Sequence, residues 1–348
     1  MSKLIEMHLV PVSSCPLCGA RESEAFDRGA DMLMQEINRY LPADHDKLPG
    51  DLVNSRRQCL GCGLIYLSPR FSSDSLSLLY KLWYGFAYKR VMEDLSHVDE
   101  RRNEFRFNHL NYLEKQQPKK GKLLDVGCGG GLFMDIARQS GWEVTGVEFD
   151  HATATWGREQ LGLNDLRCGV LSDVLRSNEL FDAITLFDYL EHTEQPRHDL
   201  DLLVNSLARN GMLMIRVPNA TGWQARLMGA RWLAIMPTHL SYFTPTVLRQ
   251  ALLDRGLIIE YQRAGNYQTQ RKILQQRLCW LKLRLRLHVK SKQHSDLNFM
   301  HDDLPAPSEG GLVGAGMRWL RSLWIEQIDH VGGWFGAGNN LTIIARKP

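Results

Sequence analysis

An apolar run that turns into a glycine-rich loop, residues 122–132, constrains the fold of this 348-residue chain more than any other stretch. Lys122-Leu-Leu-Asp-Val has the pattern of a buried strand, and the apolar residues that follow the loop recur at helical spacing. Gly127 and Gly129 lack a Cβ, so the backbone there can turn sharply and approach a ligand closely. The N–H groups that open the following helix would face that ligand. This order predicts the βα turn of a nucleotide-binding α/β sheet.

The details of the loop narrow the choice of ligand. A dinucleotide fingerprint counted from Gly127 would need glycine at position 132, which is Leu132, and the Gly-Lys-Ser/Thr of a phosphate-binding P-loop is absent. Asp125 instead stands two residues before the first glycine. A second strand, Trp142 to Asp150, ends in acids, and Glu148 lies where a carboxylate would bind both hydroxyls of a ribose.

These motifs resemble those of class I S-adenosylmethionine-dependent methyltransferases, in which strand one ends Asp/Glu-x-Gly-x-Gly-x-Gly and an acid closes strand two. The resemblance implies an α/β fold with a Rossmann-like doubly wound sheet, mostly parallel, whose last strand is antiparallel. It also implies S-adenosylmethionine as cofactor, bound by Asp125, Gly127, Cys128, Gly129, Glu148, Phe149, Leu171 and Asp188. The adenine contact departs from the family pattern because Val170 follows Gly169 where an acid is usual, so Asp173 or a backbone group would replace that acid.

Two later segments extend the resemblance. Strand four is followed by Leu190-Glu-His192, and a later Trp precedes Pro-Thr-His239 and then Phe-Thr-Pro, as in the family. Ligands of parallel sheets lie beyond the carboxyl ends of the strands, so Asp188, Glu191 and His192 are expected near the reacting centre. The resemblance implies His192 and His239 as catalytic residues, one of which would take a proton from the methyl acceptor. Alternatively, each histidine hydrogen-bonds backbone groups and shapes its loop.

Four of the seven cysteines form two Cys-x-x-Cys-Gly knuckles, Cys15 with Cys18 and Cys59 with Cys62. Two such pairs supply the four thiolates of a closed zinc site, so we expect a structural Zn²⁺ rather than a catalytic one. The alternative is that one Cys-x-x-Cys pair is a redox site and the other pair is present by coincidence. A zinc ribbon before the catalytic domain resembles the arrangement in bacterial small-molecule and sugar methyltransferases. The other three cysteines are expected to be buried thiols: Cys128, Cys168 and Cys279.

The chain is predicted to have four parts: a zinc-ribbon module (1–71), a helical cap (72–118), the methyltransferase domain (119–262 and 338–348) and a basic, mainly helical insertion (263–337). In the cap, Tyr80, Trp83 and Tyr84 would either touch substrate or belong to the core. From Tyr261 to Ser295 there are nine Lys and Arg and no acid. Residues 271–292 could therefore lie on an anionic membrane surface, face an acidic substrate, or dock on their own domain.

No apolar run approaches the ~20 residues of a membrane span, and the N-terminus lacks the apolar segment of a signal peptide. A cytoplasmic location is expected, with peripheral contact to the inner membrane surface as one option. The predicted function is methyl transfer to oxygen or carbon of a small molecule, sugar or lipid-linked glycan precursor. The alternatives are a nucleic-acid-binding or modifying protein and a non-catalytic binding protein with this fold.

A nucleic-acid partner is not expected. The net charge is only +3, and Asp188-Tyr-Leu-Glu stands after strand four in place of the Asn/Asp-Pro-Pro-Tyr motif for base amines. The sequence leaves the acceptor's identity and the oligomeric state open.

Overall fold

A computed structural model describes residues 7–29, 54–83, 105, 109–232, 234–265 and 338–348. The elements before the central sheet are β1 (Leu9–Val10), β2 (Ser23–Gly29), β3 (Asn54–Cys59), β4 (Ile65–Leu67), β5 (Arg70–Phe71), α1 (Ser73–Trp83) and α2 (Asn111–Gln116). The predicted insertion, apart from residues 263–265, lies outside the described residues, as do segment 271–292, Tyr84 and Cys279.

From Lys122 onward, strands alternate with helices along most of the described chain. They are β6 (Lys122–Val126), α3 (Leu132–Gln139), β7 (Glu143–Glu148), α4 (His151–Leu161), β8 (Leu166–Cys168), α5 (Leu171–Val174), β9 (Phe181–Phe187), α6 (Pro196–Asn205), β10 (Leu207–Pro218), α7 (Trp223–Met228), β11 (Ser241–Tyr242), α8 (Pro245–Leu253), β12 (Ile258–Ala264) and β13 (Asn340–Arg346). Such alternation indicates a sheet with helices packed on its faces.

The central sheet contains seven strands in the order β12-β13-β10-β9-β6-β7-β8. Neighbours from β10 to β8 are parallel, whereas β13 runs antiparallel to both β10 and β12. β6 and β9 are buried along most of their length, as expected for parallel strands covered on both faces. The Rossmann-like, mostly parallel sheet with an antiparallel last strand is therefore confirmed.

A second sheet joins the N-terminal part to a distant segment. Its order is β11-β4-β3-β2, and β11 pairs antiparallel with β4, with Ser241 opposite Tyr66. One hydrophobic cluster contains Cys59 and Tyr66 from the N-terminal part together with Phe243 and Leu248 from the segment after β10. The cysteine-bearing part and the catalytic part thus share a sheet and a core. Among the described residues, no helix is both long enough and apolar enough to cross a bilayer.

Candidate active site

The glycine-rich loop lies over the carboxyl end of β7. The N–H groups of Gly127 and Cys128 donate to the carbonyl of Val147, at 2.8 and 3.1 Å. Gly127 has φ +68°, a conformation that glycine adopts without the penalty other residues incur. A Cβ at this position would come within 2.8 Å of the Tyr189 ring. The loop therefore requires glycine here for both conformation and space.

Glu148 ties this loop to the next turn. Its carboxylate accepts from the N–H of Gly129 and from the N–H of Asp150, each at 2.9 Å. Burial raises the pKa of Glu148, while these two backbone hydrogen bonds favour the ionised form. Each carboxylate oxygen has two lone pairs, so further acceptor capacity remains for a ribose hydroxyl. Phe149, the next residue, is 48% exposed and offers an apolar surface beside it.

Asp125, Leu171 and Cys128 were also predicted to contact the cofactor. Asp125 is buried and accepts from the Thr185 hydroxyl at 2.7 Å; burial raises its pKa to about 7. Leu171 opens α5, and its side chain lies in the hydrophobic core, so only its backbone could meet a ligand. Cys128 and Cys168, which were predicted to be buried thiols, are both partly buried and pack against a hydrophobic cluster.

Asp188 immediately follows β9 and is held by Arg216 from the neighbouring strand β10. Arg216 Nε donates to Asp188 Oδ1 at 3.2 Å, and a second guanidinium nitrogen contacts Oδ2. Asp188 has φ +54°, a sparsely populated conformation for a residue other than glycine. Arg216 also lies 3.2 Å from a ring nitrogen of His109, which stacks on Phe187. Arg216 and His109 were not predicted; the position of Arg216 near the end of strand five is the signal that could have found it.

His192 and His239 are brought together from the segments after β9 and β10. Their ring centroids lie 4.5 Å apart. Nδ1 of His192 lies 2.8 Å from the Thr238 carbonyl, and Nδ1 of His239 lies 2.8 Å from the Ala234 carbonyl. A carbonyl oxygen only accepts, so each Nδ1 carries the proton and each Nε2 keeps its lone pair. Burial lowers the pKa of both rings, which favours this neutral form.

Glu191 completes this cluster. Its carboxyl group is buried, and neither oxygen has a hydrogen-bond partner within the described part of the chain. Its backbone carbonyl accepts from the N–H groups of Leu240 and Ser241, at 2.7 and 3.1 Å, which holds the two segments together. One ring nitrogen of each histidine and a Glu191 oxygen all lie within 4.8 Å of one another. Tyr80 adds a hydroxyl 3.0 Å from His192 Nδ1.

The four cysteines of the two predicted knuckles form a second cluster. The sulfurs of Cys15 and Cys62 are 3.6 Å apart, and those of Cys18 and Cys59 are 3.5 Å apart. Four sulfurs about 2.3 Å from a zinc ion would form a tetrahedron with edges of about 3.8 Å. The donor set and its spacing therefore fit tetrahedral Zn²⁺.

Both knuckles close in the same way. The N–H of Gly19 donates to the carbonyl of Cys15, and the N–H of Gly63 to that of Cys59, each at 2.9 Å. The glycines have φ +82° and +80°. The repeated sequence Cys-x-x-Cys-Gly thus corresponds to a repeated backbone turn.

Comparison with known proteins identifies the family. The sequence model of a methyltransferase domain matches residues 98–262. Ubiquinone biosynthesis O-methyltransferase of Xylella fastidiosa (strain 9a5c) is 30% identical over 164 residues, 43% of this chain and 67% of that protein. The enzyme of the same name from Coxiella burnetii (strain Dugway 5J108-111) is 37% identical over 94 residues, 25% of this chain and 40% of that protein. The chain thus spans between two fifths and two thirds of the length of these relatives.

Solved methyltransferase structures are more distant. An S-adenosylmethionine-dependent methyltransferase from Archaeoglobus fulgidus is 17% identical with a TM-score of 0.42, covering 78% of this chain and 99% of that one. The plantazolicin methyltransferase BpumL, in complex with S-adenosylhomocysteine, is 14% identical with a TM-score of 0.43, covering 78% and 95%. On the family match and the Xylella relative, this chain belongs to the class I S-adenosylmethionine-dependent methyltransferases.

Proposed function

We propose that this methyltransferase transfers a methyl group to a hydroxyl oxygen of a small molecule or glycan precursor. The observation that carries the proposal is the Glu191, His192 and His239 cluster, which presents two ring nitrogens with open lone pairs at the carboxyl edge of the sheet. Such a cluster suits an acceptor whose proton must leave during transfer. The relatives from Xylella and Coxiella are named O-methyltransferases, which supports oxygen as the target atom.

The proposed cofactor contacts lie in the segments after β6 and β7. When bound there, S-adenosylmethionine would supply an activated methyl group, carried on a positively charged sulfur that can leave with the bonding electrons. Gly127 and Gly129 would let the backbone approach the cofactor, and Glu148 would accept from the ribose hydroxyls. The remaining proposed contacts are Asp125, Cys128, Phe149, the backbone of Leu171, and Asp188.

His192 and His239 remain the proposed catalytic residues. Alignment of the acceptor oxygen with the methyl group removes much of the barrier, and removal of the hydroxyl proton completes the reaction. Alignment of the acceptor oxygen and removal of its proton both require a side chain that contacts that oxygen. The Nδ1 hydrogen bonds to backbone carbonyls fix both rings, so that each Nε2 has a defined direction.

The proposal includes a structural zinc ion held by Cys15, Cys18, Cys59 and Cys62. Its support is the sulfur spacing and the matched knuckle turns. Four thiolates leave no open coordination position, so the ion would stabilise the ribbon and take no part in methyl transfer. Because β4 of the ribbon pairs with β11, the ion would indirectly support the segment that carries His239.

The test is a methyl-transfer assay with isotope-labelled S-adenosylmethionine. The acceptors are matched sets of phenols, catechols and sugars that differ only in having a free hydroxyl or a capped one. We expect a methyl ether by mass spectrometry from the free hydroxyl compounds alone. Replacing His192 or His239 with Ala should lower turnover by ~10²–10⁴-fold. S-adenosylhomocysteine affinity should change little.

The matched control is His198→Ala, which removes an exposed histidine of α6. Its turnover should stay close to wild type. Transfer to nitrogen or carbon would refute the choice of target atom, and full activity of both histidine variants would refute the choice of catalytic residues.

A further inference from the structure

We infer that Glu191, His192 and His239 bind a divalent transition-metal ion, such as Zn²⁺, Mn²⁺ or Fe²⁺, at a site separate from the cysteine cluster. Two imidazoles and one carboxylate are a common ligand set for such ions, and three protein ligands leave positions open for water or substrate. Binding of the ion is independent of the proposed function, whereas its part in methyl transfer rests on that function.

Three suitable lone pairs converge in this cluster. The candidate ligand atoms of the three residues lie within 4.8 Å of one another. Both Nδ1 atoms are occupied by backbone carbonyls, so Nε2 is the nitrogen available to an ion. Metal–ligand bonds of about 2.1 Å would place these atoms about 3–4 Å apart. Side-chain shifts on the order of 1 Å would therefore close the site around an ion.

The Glu191 carboxyl group is buried without a hydrogen-bond partner among the described residues. The residue is 1% exposed. Burying such a group without a partner costs free energy, so an unpartnered carboxyl in a native site calls for a specific explanation. The nearby guanidinium of Arg216 contacts Asp188 and His109 instead. A metal ion between the carboxylate and the two imidazoles would offset that cost.

The three candidate ligands are held in place by backbone hydrogen bonds. Metal-binding histidines usually donate their other N–H to a carbonyl or carboxylate, which fixes the ring and its tautomer. Both rings do so, toward Thr238 and Ala234, at 2.8 Å. The backbone of Glu191 is fixed by two hydrogen bonds from the strand β11 region. This arrangement is the one that preorganises a metal site.

The ligand types decide the class of ion. Mg²⁺ and Ca²⁺ prefer oxygen ligands, whereas imidazole suits first-row transition metals and zinc. An ion here would bind the acceptor hydroxyl at an open position and lower the pKa of that hydroxyl. With the ion bound, the hydroxyl proton would go to solvent water and the two imidazoles would hold the ion. A ring nitrogen would take the proton, as in the proposed function, only when the ion is absent.

The experiment counts metal ions on the full-length protein. A mild chelator would first remove any weakly bound ion from the protein. It would leave the tightly bound zinc in the cysteine site. Titration with Co²⁺ should then show one further equivalent per chain. Its absorption spectrum should have weak d–d bands of nitrogen and oxygen ligands, without the intense thiolate charge-transfer bands of a cysteine site. Glu191→Gln, which keeps the side-chain shape, and His239→Ala should each weaken Co²⁺ binding at least ~100-fold.

His198→Ala is again the matched control and should bind Co²⁺ like the wild type. S-adenosylhomocysteine binding and the thermal unfolding curve, measured on the same samples, separate the possible failures. If folded wild-type protein binds S-adenosylhomocysteine but takes up no second ion, the metal site is wrong and the methyltransferase function stands. Co²⁺ binding that survives Glu191→Gln and His239→Ala would also refute the proposed metal site. So would a Co²⁺ spectrum with thiolate bands.

Discussion

The proposed cofactor side, the glycine-rich loop with Glu148, is built from neighbouring parts of the chain, whereas the proposed acceptor side, around His192 and His239, is assembled from distant ones. On the cofactor side, the glycine-rich loop is tied to Glu148, only 19 residues from Gly129. On the acceptor side, Tyr80 reaches His192 across 112 residues, and β4 of the N-terminal part pairs with β11. Local motifs can therefore define the proposed cofactor side, but the proposed acceptor side forms only when the N-terminal part and the segment after β10 come together.

The largest effect is expected from removing the ion proposed at the cysteine cluster. In Cys59→Ser we expect loss of zinc, unfolding of the ribbon and a loss of several kcal/mol of stability, because structural zinc contributes its binding energy to folding. Tyr66 packs in the shared core and pairs with Ser241, so residues 234–243 should lose protection from hydrogen exchange. The glycine-rich loop should keep its protection.

Zinc removal from the wild type by a strong chelator gives the same test without a substitution. Cys168→Ser is the matched control, since Cys168 is a partly buried thiol outside the cluster. Full protection of residues 234–243 in the zinc-free protein would show that the acceptor side does not depend on the ribbon.

The cofactor side can be broken separately at Gly127. A Val there would need φ +68° and would place its Cβ 2.8 Å from the Tyr189 ring. We expect S-adenosylhomocysteine affinity, measured by calorimetry, to fall at least ~100-fold, which is about 2.7 kcal/mol. The hydrogen-exchange protection of β11 should be unchanged.

Gly162→Ala is the control for backbone strain alone. Gly162 caps α4 with φ +65°, and a Cβ there would meet no atom within 4 Å. This variant should lose on the order of 1 kcal/mol of stability and no cofactor affinity. Equal loss of affinity in both variants would mean that strain, and not the shape of the loop, explains the result.

This contrast also explains which features the sequence could predict. The strand-loop-helix around Gly127, the acid at 148 and the paired knuckles each depend on residues close in sequence, and each lies in the predicted element. β11 has two residues and no periodicity of its own, so its pairing with the ribbon could not be predicted. The Asp188, Arg216 and His109 contacts depend on which strands become neighbours, and no local pattern specifies that.

Tyr80 contacts both proposed sides, and we expect its substitution to have the smallest effect. Its hydroxyl lies 3.0 Å from His192 Nδ1, while its ring centroid lies 6.4 Å from that of Phe149 beside Glu148. Tyr80→Phe keeps the ring and removes the hydroxyl. We expect turnover to fall about fivefold, the equivalent of one hydrogen bond of about 1 kcal/mol, with S-adenosylhomocysteine affinity unchanged.

Tyr80→Leu removes the ring as well, so it should also weaken S-adenosylhomocysteine binding. Tyr112→Phe serves as the control, because it removes a tyrosine hydroxyl from a ring that packs against Tyr261. The informative quantity in each variant is the ratio of the loss of turnover to the loss of S-adenosylhomocysteine affinity. If Tyr80→Phe lowers cofactor affinity as much as turnover, then the orientation of His192 and the cofactor contacts are coupled through α1. The two sides would then act as one unit, and the separation inferred from their construction would be wrong.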